Sequence, residues 1–256
     1  MTLGTNRYIG ATFVFMSLLA MPGCVATHPV DNARAVPKAE DVTPSPAQAR
    51  LDQEHIAASR LCVFPGGADR LRNAADQGQI PAQAELGRAY LYGQCDLPTD
   101  SDQAASWLTR AAERGDMYAQ ENLALMYSAG QPFIWHYHEI KEMGTRFAPG
   151  IPQDYPKALF WYRRCADQGN VRCQGELGGM YGLGNGTPKD RKQSYYWDLI
   201  AARKSEFSKK YLYLTEKQLS QEDIDEVREL AEKWRPVIEY PPDPAQSEHV
   251  LDPASR

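Results

Sequence analysis

The feature of this sequence that most limits its possible folds is an internal repeat marked by tryptophans. Three of the five tryptophans have an aspartate seven residues earlier and small residues four and five residues later, and the pairs are Asp100 and Trp107, Asp154 and Trp161, and Asp190 and Trp197. Of these three tryptophans, the last two are 36 residues apart, whereas the first two are 54 apart. The difference of 18 is an insertion at 132–149, because deleting it aligns the flanking sequence with the next repeat. Self-similarity at this period predicts stacked units that bury one continuous core.

A second motif, Leu-(Gly/Ala)-x-x-Tyr-x-x-Gly, recurs between the tryptophans and predicts the other helix of each repeat. Its first copy places Leu86, Tyr90 and Gly93 at i, i+4 and i+7, which is one face of a helix. Asp100 predicts the start of the tryptophan helix, and Gly115 predicts its end through a residue with positive φ. Each repeat is therefore predicted to be a helical hairpin. We name the helix with the leucine motif the A-helix and the tryptophan helix the B-helix.

The segment from Gly150 to Gly169, Gly-Ile-Pro-Gln-Asp-Tyr-Pro-Lys-Ala-Leu-Phe-Trp-Tyr-Arg-Arg-Cys-Ala-Asp-Gln-Gly, resembles a Sel-one-like repeat, a relative of the tetratricopeptide repeat. The resemblance extends over residues 74–203. It implies an all-α fold, a right-handed α-solenoid of helical hairpins with helical caps, here expected to span residues 51–240 as one domain. It also implies a role in protein–protein interaction without catalytic residues.

Segments on both sides of the repeats are predicted to form the caps. Residues 51–73 are expected to hold one or two helices over the first hairpin, and residues 207–214 and 220–234 are expected to close the other end. In the last of these, Ser220 and Asp223 form a capping box. The apolar stripe that follows consists of Ile224, Val227, Leu230 and Trp234.

Residues 1–23 are predicted to be a signal peptide of the lipoprotein type. An apolar stretch that ends at Met21 has the length of a signal-peptide core and closes on a small residue before Cys24, which resembles the lipobox of bacterial lipoproteins. Val25, rather than an aspartate, follows the cysteine, which in Gram-negative lipoproteins implies lipidation of Cys24 at the outer membrane, facing the periplasm. The alternative is an ordinary signal peptide cut nearby, for instance after Ala26, which would give a soluble periplasmic protein.

The segments that flank the predicted domain are rich in proline and poor in large apolar residues. Residues 24–50 are therefore predicted to be a disordered tether, and residues 241–256 a disordered tail. The net charge is -5, and it becomes -6 when Arg7 leaves with the signal peptide. A mildly acidic chain does not attract nucleic acid or anionic lipid headgroups. We expect no nucleic-acid partner, and membrane attachment only through the lipid anchor.

Four cysteines remain beyond the lipobox, an even number in a chain with an export signal. Cys165 and Cys173 lie four residues on either side of Gly169, so they face each other across the predicted turn at a separation that a disulfide spans. The same spacing resembles the cysteine-rich secreted members of the family. Cys62 and Cys95 are then left for each other. Buried free thiols are the alternative, and zinc is disfavoured because no Cys-x-x-Cys spacing occurs.

The insertion is unusual among helix–helix connections because it contains three closely spaced aromatic residues, Phe133, Trp135 and Tyr137. These rings are predicted either to pack on the solenoid as a satellite core or to contact a partner, since Trp and Tyr dominate interface hot spots. In the second case the insertion projects from the rim beside the A-helices, and the rings clasp the partner's edge. The adjacent His136 and His138 lack a further ligand and are interpreted as solvated.

The sequence contains no Gly-x-Ser-x-Gly elbow, no His-Glu-x-x-His motif and no phosphate-binding glycine loop. We therefore expect that the protein is not an enzyme, needs no cofactor or metal, and binds a protein partner in the periplasm as a scaffold or adaptor. One alternative is an immunity protein, because some exported members of the family resemble inhibitors of phospholipase or lipase effectors delivered by type VI secretion. An enzyme of unrecognised type is a remote alternative.

We predict that Cys24→Ser moves the protein from the membrane fraction to the soluble envelope fraction and abolishes acyl labelling, because the acyl chains are the expected anchor. Fractionation of cells that express the wild type or the variant, with metabolic palmitate labelling, measures both effects. A wild-type chain that already fractionates as soluble contradicts the lipid anchor and leaves the fold argument intact.

Overall fold

The repeats fold into paired helices, as the two motifs predict. The computed structural model describes residues 45–63, 65–129, 151–237 and 239, and no strand occurs among them. The α-helices in this part of the chain are α1 (Pro46–Arg60), α2 (Gly67–Asp76), α3 (Ile80–Tyr92), α4 (Ser101–Glu113), α5 (Met117–Ala129), α6 (Tyr155–Asp167), α7 (Val171–Leu183), α8 (Arg191–Ala202), α9 (Glu206–Glu216) and α10 (Gln221–Lys233). A short 3-10 helix, Leu61–Val63, follows α1. The predicted all-α solenoid is confirmed.

Three hairpins form the centre of the fold, with A-helices α3, α5 and α7 and B-helices α4, α6 and α8. Each B-helix begins at a predicted aspartate, whose carboxylate accepts a hydrogen bond from the backbone N–H three residues later, and these aspartates are Asp100, Asp154 and Asp190. Each A-helix follows a glycine with positive φ, and these glycines are Gly78, Gly115 and Gly169. The predicted insertion at 132–149 falls between α5 and α6, outside the described residues.

A glutamine near the start of each A-helix completes the hydrogen bonding of the preceding B-type helix. The side-chain amides donate at 3.1–3.2 Å to the carbonyl of an alanine eight residues earlier, and the pairs are Gln83 with Ala75, Gln120 with Ala112, and Gln174 with Ala166. These carbonyls belong to the last turn of a helix, where the regular intrahelical donor is missing. The glutamines therefore fix the angle at which one hairpin leads into the next.

Consecutive turns are also joined directly to each other. The guanidinium of Arg114 donates to the carbonyl of Gly78 at 2.7 Å, and the amide of Gln168 donates to the carbonyl of Gly115 at 3.1 Å. Arg114 and Gln168 occupy the same position in successive turns, immediately before the glycine. The turns thus form a continuous row along one edge of the array.

The two helices of a hairpin approach closely because the residue of the A-helix at the contact is a glycine or an alanine. A β-carbon on Gly87 would lie 2.7 Å from Leu108 Cγ and 3.0 Å from the backbone nitrogen of Leu108, which is completely buried. Large side chains then fill the space around the paired helices, and those buried most completely are Leu86, Leu108, Leu123, Tyr162, Leu177, Tyr195 and Trp197. One core cluster runs from Leu51 in α1 to Ala231 in α10.

The N-terminal cap begins earlier than predicted. Helix α1 starts at Pro46, so the predicted tether at 24–50 is too long by the residues from Pro46 onward. Ser45 accepts a hydrogen bond from the backbone N–H of Gln48, and proline is favourable at the first position of a helix. A Ser-Pro pair that we interpreted as linker composition is therefore a helix start.

Helix α2 is the B-helix of an incomplete repeat. Its end, Ala74-Ala75-Asp76-Gln77-Gly78, matches Cys165-Ala166-Asp167-Gln168-Gly169 position by position except for one small residue. The guanidinium of Arg72 donates to the hydroxyl of Tyr90 at 3.3 Å, and Arg163 donates to Tyr181 at the same distance and the same separation along the chain. Helix α2 thus extends the array by an incomplete repeat, and α1 and α2 together form its N-terminal cap.

The C-terminal cap consists of α9 and α10, as predicted, and Ser220 accepts the backbone N–H of Asp223 at the start of α10. The predicted stripe is wrong at one position, because half of Leu230 is exposed while Ala231 is buried. The buried face passes through Val227 and Ala231, a spacing of four residues rather than three. Residues 234–237 then leave α10, and Val237 and Glu239 contact the turn at Gly169.

Two glycines in A-helices give a matched test of this packing. We predict that Gly87→Ala lowers the free energy of unfolding by about 1–3 kcal/mol, because the new methyl group meets Leu108 and its backbone. We predict that Gly179→Ala raises it by up to about 1 kcal/mol, because a β-carbon there meets nothing within 4 Å and alanine favours the helix. Urea denaturation measures both changes. Equal effects of the two substitutions would contradict the close approach at Gly87.

Candidate functional site

The A-helices lie side by side and present one continuous surface. The hydroxyl of Tyr92 in α3 donates to Asn122 Oδ1 in α5 at 3.5 Å. Glu121 in α5 forms an ion pair with Arg172 in α7 at 3.1 Å and accepts a hydrogen bond from Asn170 at 2.8 Å. We call this the A-helix surface, and its solvent-facing residues are Arg88, Tyr92, Glu121, Asn122, Arg172, Glu176, Gly179 and Leu183.

Charges of both signs meet at the centre of the A-helix surface. Burial raises the pKa of Glu176, Arg172 opposes this effect, and the neighbouring carboxylate of Glu121 adds to it. Burial also raises the pKa of Tyr92, whose hydroxyl therefore stays a neutral hydrogen-bond donor. A cationic or amide group of a partner placed beside Glu176 would find an acceptor that is only partly neutralised within the chain.

Helix α7 exposes its backbone at the middle of this surface. It contains Gly175, Gly178, Gly179 and Gly182, although a glycine in a helix costs roughly 1 kcal/mol relative to alanine. Gly178 and Gly182 are required by close contacts with α8, but Gly179 has open space around it. One turn further on, 74% of Leu183 is exposed. This part of the A-helix surface lets another backbone approach closely and offers it an apolar side chain.

The N-terminal end of the A-helix surface is covered by α1. Leu51 of α1 is buried in the core, and Asp52 accepts a hydrogen bond from the hydroxyl of Tyr118 in α5 at 2.7 Å. His55 Nε2 lies 2.8 Å from Asp116 Oδ2, just before α5. Helix α1 thus reaches across α3 to the second hairpin, and the accessible surface begins beyond it.

His55 is the centre of a buried polar cluster. Its Nδ1 lies 3.5 Å from Glu85 Oε1 in α3, and its ring packs edge-on against Tyr118, with the centroids 4.6 Å apart. Burial alone lowers the pKa of His55, but the hydrogen bonds to Asp116 and Glu85 outweigh it and raise the pKa to about 9. The imidazolium is therefore the folded-state form at neutral pH, and it joins α1 to the first two hairpins.

A second buried titratable group lies in the third hairpin. Asp198 follows Trp197, at the position that Leu108 and Tyr162 occupy in the other hairpins. Burial raises the pKa of Asp198 to about 6, and a hydrogen bond from Thr215 in α9, at 2.9 Å, opposes this shift. The carboxyl group therefore links the last hairpin to the C-terminal cap rather than facing the A-helix surface.

The structure brings together both predicted cysteine pairs. Cys165 and Cys173 have Cα atoms 6.0 Å apart across the turn at Gly169, and Cys62 and Cys95 have Cα atoms 4.9 Å apart. Both pairs are at disulfide distance. The first is completely buried, while the second is half-buried between the 3-10 helix after α1 and the loop after α3.

Other predicted site residues cannot be placed. Cys24 and the three aromatic residues of the insertion, Phe133, Trp135 and Tyr137, lie outside the described residues. Within the described ranges no three His, Cys, Asp or Glu side chains are grouped so that they could hold a metal ion. The same ranges include no helix with the length and apolar character needed to cross a membrane.

Two functional elements were missed by the sequence reasoning. No local sequence pattern singles out His55, because its partners are 30 and 61 positions away in the chain. The glutamines at the turns were visible in principle, since Gln83, Gln120 and Gln174 each follow a turn glycine by five residues.

A family model matches the repeats of this chain. The family model "Sel1 repeat" matches residues 80–116, 118–134, 140–170 and 171–205. A Sel1 repeat protein of Oxalobacter formigenes has a crystal structure whose chain is 34% identical, with 58% of this chain and 98% of that chain covered and a TM-score of 0.46. A protective antigen of uropathogenic Escherichia coli that displays an SLR fold is 24% identical, with 73% of this chain and 47% of that chain covered and a TM-score of 0.37.

A curated relative is considerably longer than this chain. Chitin synthase regulatory factor 3 of Schizosaccharomyces pombe is 27% identical over 149 residues, which are 58% of this chain and 14% of that protein. Across the curated relatives that it matches, the chain spans between 14% and 26% of their length.

We predict that the free energy of unfolding falls as the pH rises towards and through about 9, by up to about 3 kcal/mol. The pKa of His55 is higher in the folded chain than its ordinary value of 6.5, so its contribution is complete below pH 6.5 and is lost above the folded pKa. Urea denaturation across this interval measures the slope. His55→Gln removes the titrating group, and an unchanged slope in this variant would show that another group is responsible.

Proposed function

Since the chain belongs to the Sel1 repeat family, we propose that it is a non-enzymatic binding protein of the periplasm that holds a protein partner on its A-helix surface, as a scaffold or adaptor. Sel1 repeats are typically protein-interaction modules. A stacked array of hairpins offers an extended surface of the kind that recognises another folded protein or a segment of one.

The observation that carries this proposal is the exposed face of α7. A β-carbon added to Gly179 would meet no atom within 4 Å, so the packing of the fold does not require glycine at this position. Glycine is nevertheless unfavourable within a helix. Leu183 beside it is mostly exposed, and Arg172 and Glu176 lie on the same face. An apolar contact rimmed by charges of both signs is the usual composition of a protein–protein interface.

Two further observations support the periplasmic part of the proposal. Both cysteine pairs are at disulfide distance, and disulfides persist in oxidising compartments such as the periplasm. The sequence before residue 24 has the pattern of an export signal, and Cys24 is the expected site of a lipid anchor at the outer membrane.

The aromatic insertion is assigned an accessory part in the same proposal. In the sequence it lies between Ala129, the last residue of an A-helix, and Ile151, which precedes the B-helix of the same hairpin. The proposed role of Phe133, Trp135 and Tyr137 is to contact the edge of a partner whose body lies on the A-helix surface.

We predict that a photo-cross-linking residue at position 179 captures a partner in living cells, because a large side chain fits there without disturbing the fold. Ser106 is the matched control, since it is exposed on B-helix α4, away from the A-helix surface. A third probe at Ile134 tests whether the insertion contacts the same partner. Adducts are measured by gel shift and mass spectrometry.

A discrete adduct at position 179 that is absent at position 106 supports the proposal. Adducts at position 106 alone, or at both positions alike, would place binding elsewhere and contradict it. The identity of the captured protein separates the roles, because a secreted lipase effector would favour immunity over a scaffold.

A further inference from the structure

The end of the described chain lies across one of the turns that join a B-helix to the next A-helix. The backbone N–H of Val237 donates to the carbonyl of Asp167, the last residue of α6, at 2.9 Å. The ring of Pro236 lies against Gly169, where an added β-carbon would be 3.3 Å from the ring. Residues 234–237 contain no helix, so a helix end is completed here by an extended segment of the same chain.

The carboxylate of Glu239 anchors this segment on the side that faces the preceding hairpin. It forms an ion pair with Arg164, whose guanidinium is stacked on the ring of Trp161, 5.2 Å from the centroid. It also accepts a hydrogen bond from Gln120 Nε2 at 3.1 Å, and the backbone N–H of Glu239 donates to Gln168 Oε1 at 3.2 Å. Because Gln120 follows the preceding turn, at Gly115, the chain runs along the row of turns from Gly169 towards Gly115.

The same arginine and tryptophan recur one repeat earlier. Arg110 follows Trp107 by three residues, as Arg164 follows Trp161. Its guanidinium lies over the Trp107 ring, 4.4 Å from the centroid, and the side chain is exposed. Among the described residues no carboxylate forms an ion pair with Arg110. The guanidinium is therefore held in place by stacking while its donor groups face solvent.

The rest of this earlier turn also corresponds, with one difference. The carbonyl of Glu113 ends α4 as that of Asp167 ends α6. Arg114 stands where the later turn has Gln168, so it cannot accept a backbone N–H but adds a second cation. We call Trp107, Arg110, Arg114 and the Glu113 carbonyl the second-turn cradle. Two cations in a chain of net charge -5 favour an anionic occupant.

We infer that the second-turn cradle binds the continuation of this same chain, with the carboxylate of Asp243 on Arg110. Asp243 follows Glu239 by four residues, and Tyr240-Pro241-Pro242 between them favours an extended polyproline II conformation. Four residues in that conformation span about 12 Å. Neighbouring helices in a packed array are separated by roughly 10 Å. Four residues of extended chain are thus long enough to reach from one turn of such an array to the next.

Covalent connection favours this occupant over an acidic peptide from another protein. A segment tethered at Glu239 is present at an effective concentration in the millimolar range, which a separate peptide rarely reaches. The row of turns is also distinct from the A-helix surface, so the inference does not depend on the proposed function.

The test measures backbone order in the tail of the full, ¹⁵N-labelled chain by NMR relaxation. We expect order parameters near ~0.8 for the Asp243 and Ala245 amides in the wild type, and below ~0.6 in Arg110→Gln, which loses the charge. Asp102→Asn is the matched control, an exposed residue on the same helix outside the cradle, and it should leave the tail ordered. Thermal unfolding of each variant shows whether the hairpins remain folded.

Charge reversal separates a direct ion pair from an indirect effect. Arg110→Asp and Asp243→Arg should each release the tail, and the double variant should restore its order. A tail that is already flexible in the wild type overturns the inference, and so does a double variant that stays flexible while folded. Order that increases with protein concentration would identify the occupant as a second copy of the chain and equally overturns it.

Discussion

The position of each hairpin depends on the hydrogen bonds at the turn that precedes it. A positive-φ glycine reverses the chain, and a glutamine five residues later binds an alanine carbonyl in the last turn of the previous helix. These bonds are short-range in sequence and are repeated at each turn, so each hairpin is positioned by its neighbour. The continuous A-helix surface exists because Tyr92, Glu121 and Arg172 are brought into register by the turns below them.

Periodicity explains why the centre of the fold was predictable. Tryptophan, aspartate and glycine recur at fixed intervals, and each has one local role in a helical hairpin, so the helices, their caps and the Cys165–Cys173 pair follow from spacing alone. The ends of the array lack this periodicity. The first residues of α1, from Pro46 onward, were assigned to the tether because proline composition obscured a Ser-Pro helix start at Ser45. Pro236, Val237 and Glu239 contact the turn at Gly169, about 70 residues earlier in the chain, and no local pattern reveals such contacts.

At each end of the solenoid, a polar side chain within the packed helices joins the cap to the adjacent hairpin. At the N-terminal end, His55 is placed between Glu85 and Asp116, so that each of three helical segments contributes one charge. At the other end, Asp198 replaces a core leucine or tyrosine and meets Thr215 of the cap. Groups of this kind are costly when misplaced, and they therefore select one register of the terminal helices over the sliding that a purely apolar face permits. The charged state of His55 cannot be predicted from the sequence alone, because its partners Glu85 and Asp116 are distant in the chain.

The Cys62–Cys95 pair has a mechanical consequence. When oxidised, it closes residues 62–95 into a covalent ring that contains α2 and α3. A pulling force applied before Ser45 would then pass from α1 through the sulfur atoms to the loop before α4, and the ring would carry little of the load. Helix α1 would be stripped first, because it is held mainly by the side chains of Leu51, Asp52 and His55, while the first A-helix stayed in place. Tension on the chain would therefore uncover the start of the A-helix surface without unravelling the array.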